Sequence, residues 1–175
     1  MKTDSVYNRE EGILIVSRDF RARSEEVFDA WVQPEKVKEW WWECVDCKLL
    51  RSEIQARRGG VFNHYYVSDD EYTDNIVVSA SISECIPASR LVYEYAVPYD
   101  GDNEHTQVDV HFIKLESGKT RVTLSQSGLA TMMLIRSIIC RSGIEVIPGN
   151  PLVIQKKWEQ AFDKLAAFLE TEDAE

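Results

Sequence analysis

The sequence predicts an α+β fold in which antiparallel strands run in series and one long C-terminal helix lies on the sheet they form. Three observations carry this. Between Ile13 and Trp42 the apolar spacing switches from that of a strand to that of two short helices separated by Pro34. From Cys47 to Ser127 alternating segments are divided by turn residues. After Pro151 a single apolar stripe repeats at helical spacing, and such a stripe needs a large surface to cover it.

Residues 1–11 read as a polar lead-in, because MKTDSVYNREE holds few apolar side chains. The first strand falls at residues 12–20. There Ile13 and Ile15 alternate with Leu14 and Val16, which predicts cover on both faces. Ser24 is placed to cap the first helix, and Glu25 and Glu26 suit the positive end of its dipole. Val27, Phe28, Trp31 and Val32 share one side of it. Pro34 fits the first position of a second helix whose apolar side is Val37, Trp40 and Trp41. Successive helical residues point about 100° apart, so Trp40, Trp41 and Trp42 cannot all face inward. Trp42 is expected to end the helix near the surface or a rim.

Gly59-Gly60 punctuates the chain before the strand VFNHYYV, and the acidic SDDEYTDN separates that strand from IVVSASISECI. Pro87 to Ser89 turns the chain into LVYEYAV, with Leu91, Tyr93, Tyr95 and Val97 on one face. After the loop PYDGDNEH, Val108, Val110 and Phe112 share one side of TQVDVHFIKL. Glu116-Ser117-Gly118-Lys119 leads tightly into TRVTLSQS, where Val122 and Leu124 fall together. Asn150 can cap the last helix and Pro151 can open it. Ile154, Trp158, Ala161, Phe162, Leu165, Phe168 and Leu169 form its stripe. No repeat or linker divides residues 12–170, which are expected to form one domain, followed by an acidic tail at 171–175.

Composition narrows the function classes. Hydrophobic residues at 44% and charged residues at 29% are ordinary for a globular chain, and 175 residues suffice for a core without staples. A net charge of −10 disfavours nucleic acid and anionic membrane surfaces as partners. The first residues lack the apolar region of a signal peptide, and the most apolar stretch, 129–147, is broken by Arg136, Arg141 and Glu145. With four cysteines and no leader, a reduced, cytoplasmic setting is expected.

The segment RDFRARSEEVFDAWVQPEKVKEWW resembles the opening of the domain related to activators of heat-shock protein 90 ATPase homologues. Further resemblances are Arg58-Gly59-Gly60-Val61-Phe62, Glu84-Cys85-Ile86-Pro87 leading to Arg90-Leu91-Val92, Thr120-Arg121-Val122-Thr123-Leu124, and Trp158 heading the final helix. The chain departs from that pattern around Arg23 and at Ala80, where proline and glycine are usual, and its segment between Gly128 and Trp158 is longer and more apolar. The resemblance implies the helix-grip fold of the START-like superfamily: a curved antiparallel sheet of about six or seven strands wrapped around the C-terminal helix.

In such a fold the concave face of the sheet and the helix enclose a cavity. Alternation then nominates Phe62, His64, Tyr66, Tyr93, Tyr95, Val110 and Phe112 as its strand walls. Trp158 and Phe162 face them, joined by Trp41 from the second helix and Met133 from the apolar insert. A filled aromatic core is the competing reading, and a register slip of one residue would reverse every strand side chain. The insert at 129–147, with Met132, Met133, Ile135, Ile138 and Ile139, suits a lid, a dimer contact or ordinary packing.

Signals of catalysis are sparse. Cys44-Val45-Asp46-Cys47 has C-x-x-C spacing, but it follows a helix and lacks a second ligand pair, so neither a metal nor a redox role is expected. His105 sits in the acidic DGDNEH and is expected in solvent. His64 and His111 lie in strands and would make an acid–base pair only if both faced inward beside Tyr66 or Tyr93. With no nucleophile elbow, phosphate loop or ligand cluster, no catalytic residue and no cofactor is expected. The reading that follows is a START-like module for a small hydrophobic or aromatic ligand. The resemblance leaves open a co-chaperone-like protein-interaction module and a START-like enzyme such as a cyclase, dehydratase or hydrolase. Monomer and homodimer both stay open.

Overall fold

The computed structural model describes residues 2–42, 47–68, 76–96, 105–129 and 151–172. In chain order these form β1 (Asp4–Asn8), β2 (Ile13–Phe20), α1 (Ser24–Val32), α2 (Pro34–Trp40), β3 (Cys47–Ile54) and β4 (Val61–Ser68). There follow β5 (Ile76–Ile86), β6 (Arg90–Ala96), β7 (His105–Lys114), β8 (Thr120–Gln126) and α3 (Pro151–Glu172). The eight strands make one curved antiparallel sheet in the order β1-β2-β8-β7-β6-β5-β4-β3. From β3 to β8 each strand pairs with the next in sequence, and β2 then docks on β8. This is the α+β, helix-grip architecture expected, with one strand more than anticipated.

The additional strand is β1. Residues 4–8 were expected in a polar lead-in, yet they pair with β2 from Asp4↔Ser17 to Asn8↔Ile13. Few apolar residues are needed there, because an edge strand is held largely by backbone hydrogen bonds. Asn8 then starts the return: its Oδ1 accepts the Glu10 N–H at 3.0 Å, and Gly12 takes φ 64°. Ser5 reaches Glu159 and accepts from Gln155 Nε2 at 2.7 Å, tying β1 to α3.

The sheet turns most of its large apolar residues to one side, as expected for an antiparallel sheet with a solvated back. Leu14, Val16 and Phe20 of β2, Val108, Val110 and Phe112 of β7, and Val122 and Leu124 of β8 are all buried. The expectation of cover on both faces of β2 is corrected here: Ile15 is 46% exposed on the outer face. Its cross-strand neighbour there, Val6, is exposed too. His105, placed by sequence in a solvated loop, instead opens β7 opposite Ala96. The outer face is laced with ion pairs, among them Arg121 Nε to Asp19 at 2.6 Å and Arg90 Nη2 to Asp109 at 2.7 Å.

At the start of α1 the cap lies one residue earlier than expected. Arg23 is the N-cap, and Glu26 accepts its backbone N–H at 2.8 Å, while Ser24 is buried as the first helical residue. Trp40 ends α2 and donates its indole N–H to the Ala30 carbonyl at 2.8 Å, which locks α2 onto α1. The turn before β4 needs a glycine, since a Cβ at Gly60 would lie 2.0 Å from the Gln55 carbonyl oxygen. No helix among the described residues is long and apolar enough to cross a membrane.

Candidate functional site

The side-chain period of two puts Phe62, His64 and Tyr66 of β4 on the inner face, beside Tyr93 and Tyr95 of β6. The register Phe62↔Ala80 and Ala80↔Tyr95 places a small side chain of β5 between them. Trp41, immediately after α2, and Trp158 of α3 close on these rings from below. Trp41 lies 4.4 Å from His64 and 5.7 Å from Phe62 between ring centroids, and 5.5 Å from Trp158. Phe62 stacks on Tyr93 at 4.5 Å, and Tyr93 meets Tyr95 edge-on at 5.5 Å. These spacings are the favourable range for aromatic pairs.

Trp41, Phe62, His64, Tyr66, Tyr93, Tyr95, Trp158 and Phe162 thus lie along one buried aromatic surface. Val110 is buried on the same face of the sheet. Phe112 sits apart from the rest, under α1, with its ring 5.4 Å from Phe28 and 6.0 Å from Trp31. Met133, the remainder of the 129–147 insert beyond Leu129, and Cys44 fall outside the described residues. Trp42, half-buried at the rim, stacks on Trp158 at 4.7 Å and accepts Lys157 over its ring at 5.6 Å.

The polar atoms of this surface divide into two kinds. Trp158 Nε1 donates to Gln126 Oε1 at 2.7 Å, and the Tyr66 hydroxyl reaches the Trp42 carbonyl at 3.5 Å. By contrast, Trp41 Nε1, His64 Nε2 and Tyr93 Oη are buried with no hydrogen-bond partner among the described residues. The Tyr93 and Tyr95 phenols do influence each other electrostatically, but without sound hydrogen-bond geometry at Tyr93. Trp31 Nε1, on the inner side of α1, is also without a partner among the described residues.

His64 is held by Ser52 Oγ, 2.8 Å from Nδ1, a cross-strand contact set by the Ser52↔His64 register of β3 and β4. Burial pulls its pKa down from 6.5 to about 3, so the imidazole is neutral at physiological pH. Burial likewise pushes the Tyr93 and Tyr95 phenols up, so both stay protonated. The result is a set of neutral hydrogen-bonding groups in an aromatic wall.

An acid–base pair of His64 and His111 is not assembled. His111 lies on the opposite face, its Nε2 3.1 Å from an Asp109 carboxylate that Arg90 also grips. Among the described residues no cluster of His, Cys, Asp and Glu is arranged to hold a metal. A pocket of about 280 Å³ opens elsewhere, between Lys2, Asp4, Ser17, Arg18, Asp19 and Arg121. Within it Arg121 grips Asp19, and Arg18 reaches out to Thr3 and Asp163.

Two residues of the site escaped sequence reading. Ser52 touches His64 only because of the β3–β4 register, which runs unbroken from Ile54↔Phe62 to Arg51↔Tyr65. Trp31 was assigned to a helix face, but its part in the site, stacked on Trp158 at 6.0 Å and 19°, depends on how α1 crosses α3.

A family model described as activator of Hsp90 ATPase homolog 1-like protein matches residues 21–170. A comparison with curated proteins finds no match. Solved structures match nearly end to end. A Rhodobacter sphaeroides protein is 14% identical with a TM-score of 0.69, over 97% of this chain and 99% of that one. A Nitrosomonas europaea protein is 18% identical with a TM-score of 0.64, over 94% and 98%. The AHSA1-like protein of Aeromonas hydrophila is 19% identical with a TM-score of 0.63, over 92% and 95%. At such identities the likeness speaks to the fold alone.

Proposed function

The chain belongs to the activator of Hsp90 ATPase homolog 1-like family, and on that footing we propose that it is a binding domain for a small hydrophobic or aromatic ligand. The ligand would be held between the inner face of the sheet and α3. One observation carries this reading: Trp41 Nε1, His64 Nε2 and Tyr93 Oη, on neighbouring buried rings, have no hydrogen-bond partner among the described residues. Leaving a buried polar group unpaired costs about 1–3 kcal/mol, and native interiors rarely tolerate several together. Ligand sites do, since apolar walls with a few polar tips are what fix a bound molecule.

Native mass spectrometry of the protein purified from its own source tests this. The expected spectrum shows the chain carrying an additional small-molecule mass that leaves on collisional activation. A bare chain that also fails to bind small aromatic probes would remove the reading. A bare chain in a stable complex with another protein would turn attention to the activity for which the family is named.

A further inference from the structure

We infer that the ligand is uncharged and presents a hydrogen-bond acceptor, such as a ketone or amide oxygen, to Trp41 Nε1–H and His64 Nε2–H, with Ser52 fixing the His64 tautomer. This deepens the proposed binding function and rests on it.

An indole N–H only donates, so whatever satisfies Trp41 Nε1 must accept. Trp41 is 1% exposed and His64 and Tyr93 are fully buried, so a ligand reaches these groups only as the rings part, and bulk water does not solvate them in the closed form. His64 has one nitrogen engaged: Ser52 Oγ lies 2.8 Å from Nδ1. When the serine hydroxyl donates to Nδ1, the ring proton resides on Nε2, and the imidazole also becomes a donor. Tyr93 Oη supplies a further hydroxyl two rings away, across Phe62. Among the described residues the wall is therefore richer in donors than in acceptors. It carries no charge, because His64 is neutral and the tyrosines are protonated. An anionic ligand would lose its hydration with no buried counter-charge among these residues. A neutral acceptor loses far less and gains the N–H bonds. Ser52 acts through His64 and is a positioning residue.

Three bicyclic probes of one skeleton separate the outcomes: indane, 1-indanone and indane-1-carboxylate, each titrated into the full chain by calorimetry. Without donors on the wall, burying the carbonyl would make 1-indanone bind more weakly than indane. The expected result is the reverse, with 1-indanone about fivefold tighter than indane and the carboxylate weakest. The preference for 1-indanone over indane should shrink in Trp41→Phe, which keeps a ring and loses the N–H. Nitrogen-15 NMR of the His64 ring should show the proton on Nε2, and in Ser52→Ala a mixture of tautomers.

Indane tighter than 1-indanone in the unmodified protein, or the carboxylate tightest, would overturn the inference while leaving ligand binding intact. A proton on Nδ1 would overturn the role of Ser52 and of His64 as donor. Failure of all three probes to bind would sink both this inference and the proposed function. The comparison of probes on the unmodified chain stands even if a variant fails to fold.

Discussion

Trp158→Ala is expected to lower the unfolding free energy by about 4 kcal/mol, within the range for truncating a buried tryptophan. The side chain is fully buried and is the point where α3 meets every other layer. It stacks on Trp31 at 6.0 Å and Trp42 at 4.7 Å, and meets Trp41 edge-on at 5.5 Å. Its indole also satisfies Gln126, itself buried, at 2.7 Å. Trp158→Phe separates the two contributions. It keeps most of the ring but leaves the Gln126 oxygen unpaired, a cost of about 1–3 kcal/mol. Urea unfolding of the three proteins checks both figures. Equal losses in the two variants would mean that the hydrogen bond to β8, not the packing, anchors the helix.

The second large effect is acid sensitivity arising from His64. Its imidazole takes a proton near pH 6.5 when unfolded but only near pH 3 when folded, because burial opposes the charge. Between those values the unfolded chain binds more protons, so stability rises with pH. The contribution is fully present above the unfolded pKa and is lost progressively as pH falls toward the folded one. From pH 6.5 to pH 5 the loss from this one residue is about 2 kcal/mol. His64→Phe removes it. The difference in unfolding free energy between the two proteins should therefore narrow or reverse as the solution is acidified. Parallel pH profiles would show that His64 is not buried as described.

Much of the fold was legible because it rests on short-range chemistry. The switch from the period of β2 to the caps and prolines of α1 and α2 is written in consecutive residues, and so is the stripe of α3. Inner-face assignments for β4, β6, β7 and β8 held because each strand segregates large apolar residues at alternate positions. The misses share a cause. β1 carries little apolar signal because pairing, not burial, holds it at the sheet edge. Ile15 looked coverable, yet on the outer face it is half-exposed. The site was legible as a set of rings but not as chemistry. Which nitrogen of His64 is engaged, and that Trp41 and Tyr93 find no partner among the described residues while Trp40 and Trp158 are bonded, depends on register and on helix crossing. No spacing along one strand encodes those.

A small apolar molecule that enters the aromatic surface between sheet and α3 would perturb the indoles that line it. The direct measurement is a titration of tryptophan-indole 15N-labelled protein with indane, followed by NMR. The five tryptophans report from distinct depths, from Trp42 at the rim to Trp31 beneath α1. Saturable shifts are expected to be largest at Trp41 and Trp158, with Trp40, bonded to the Ala30 carbonyl, moving least. Shifts confined to Trp42, or none at all, would contradict binding there.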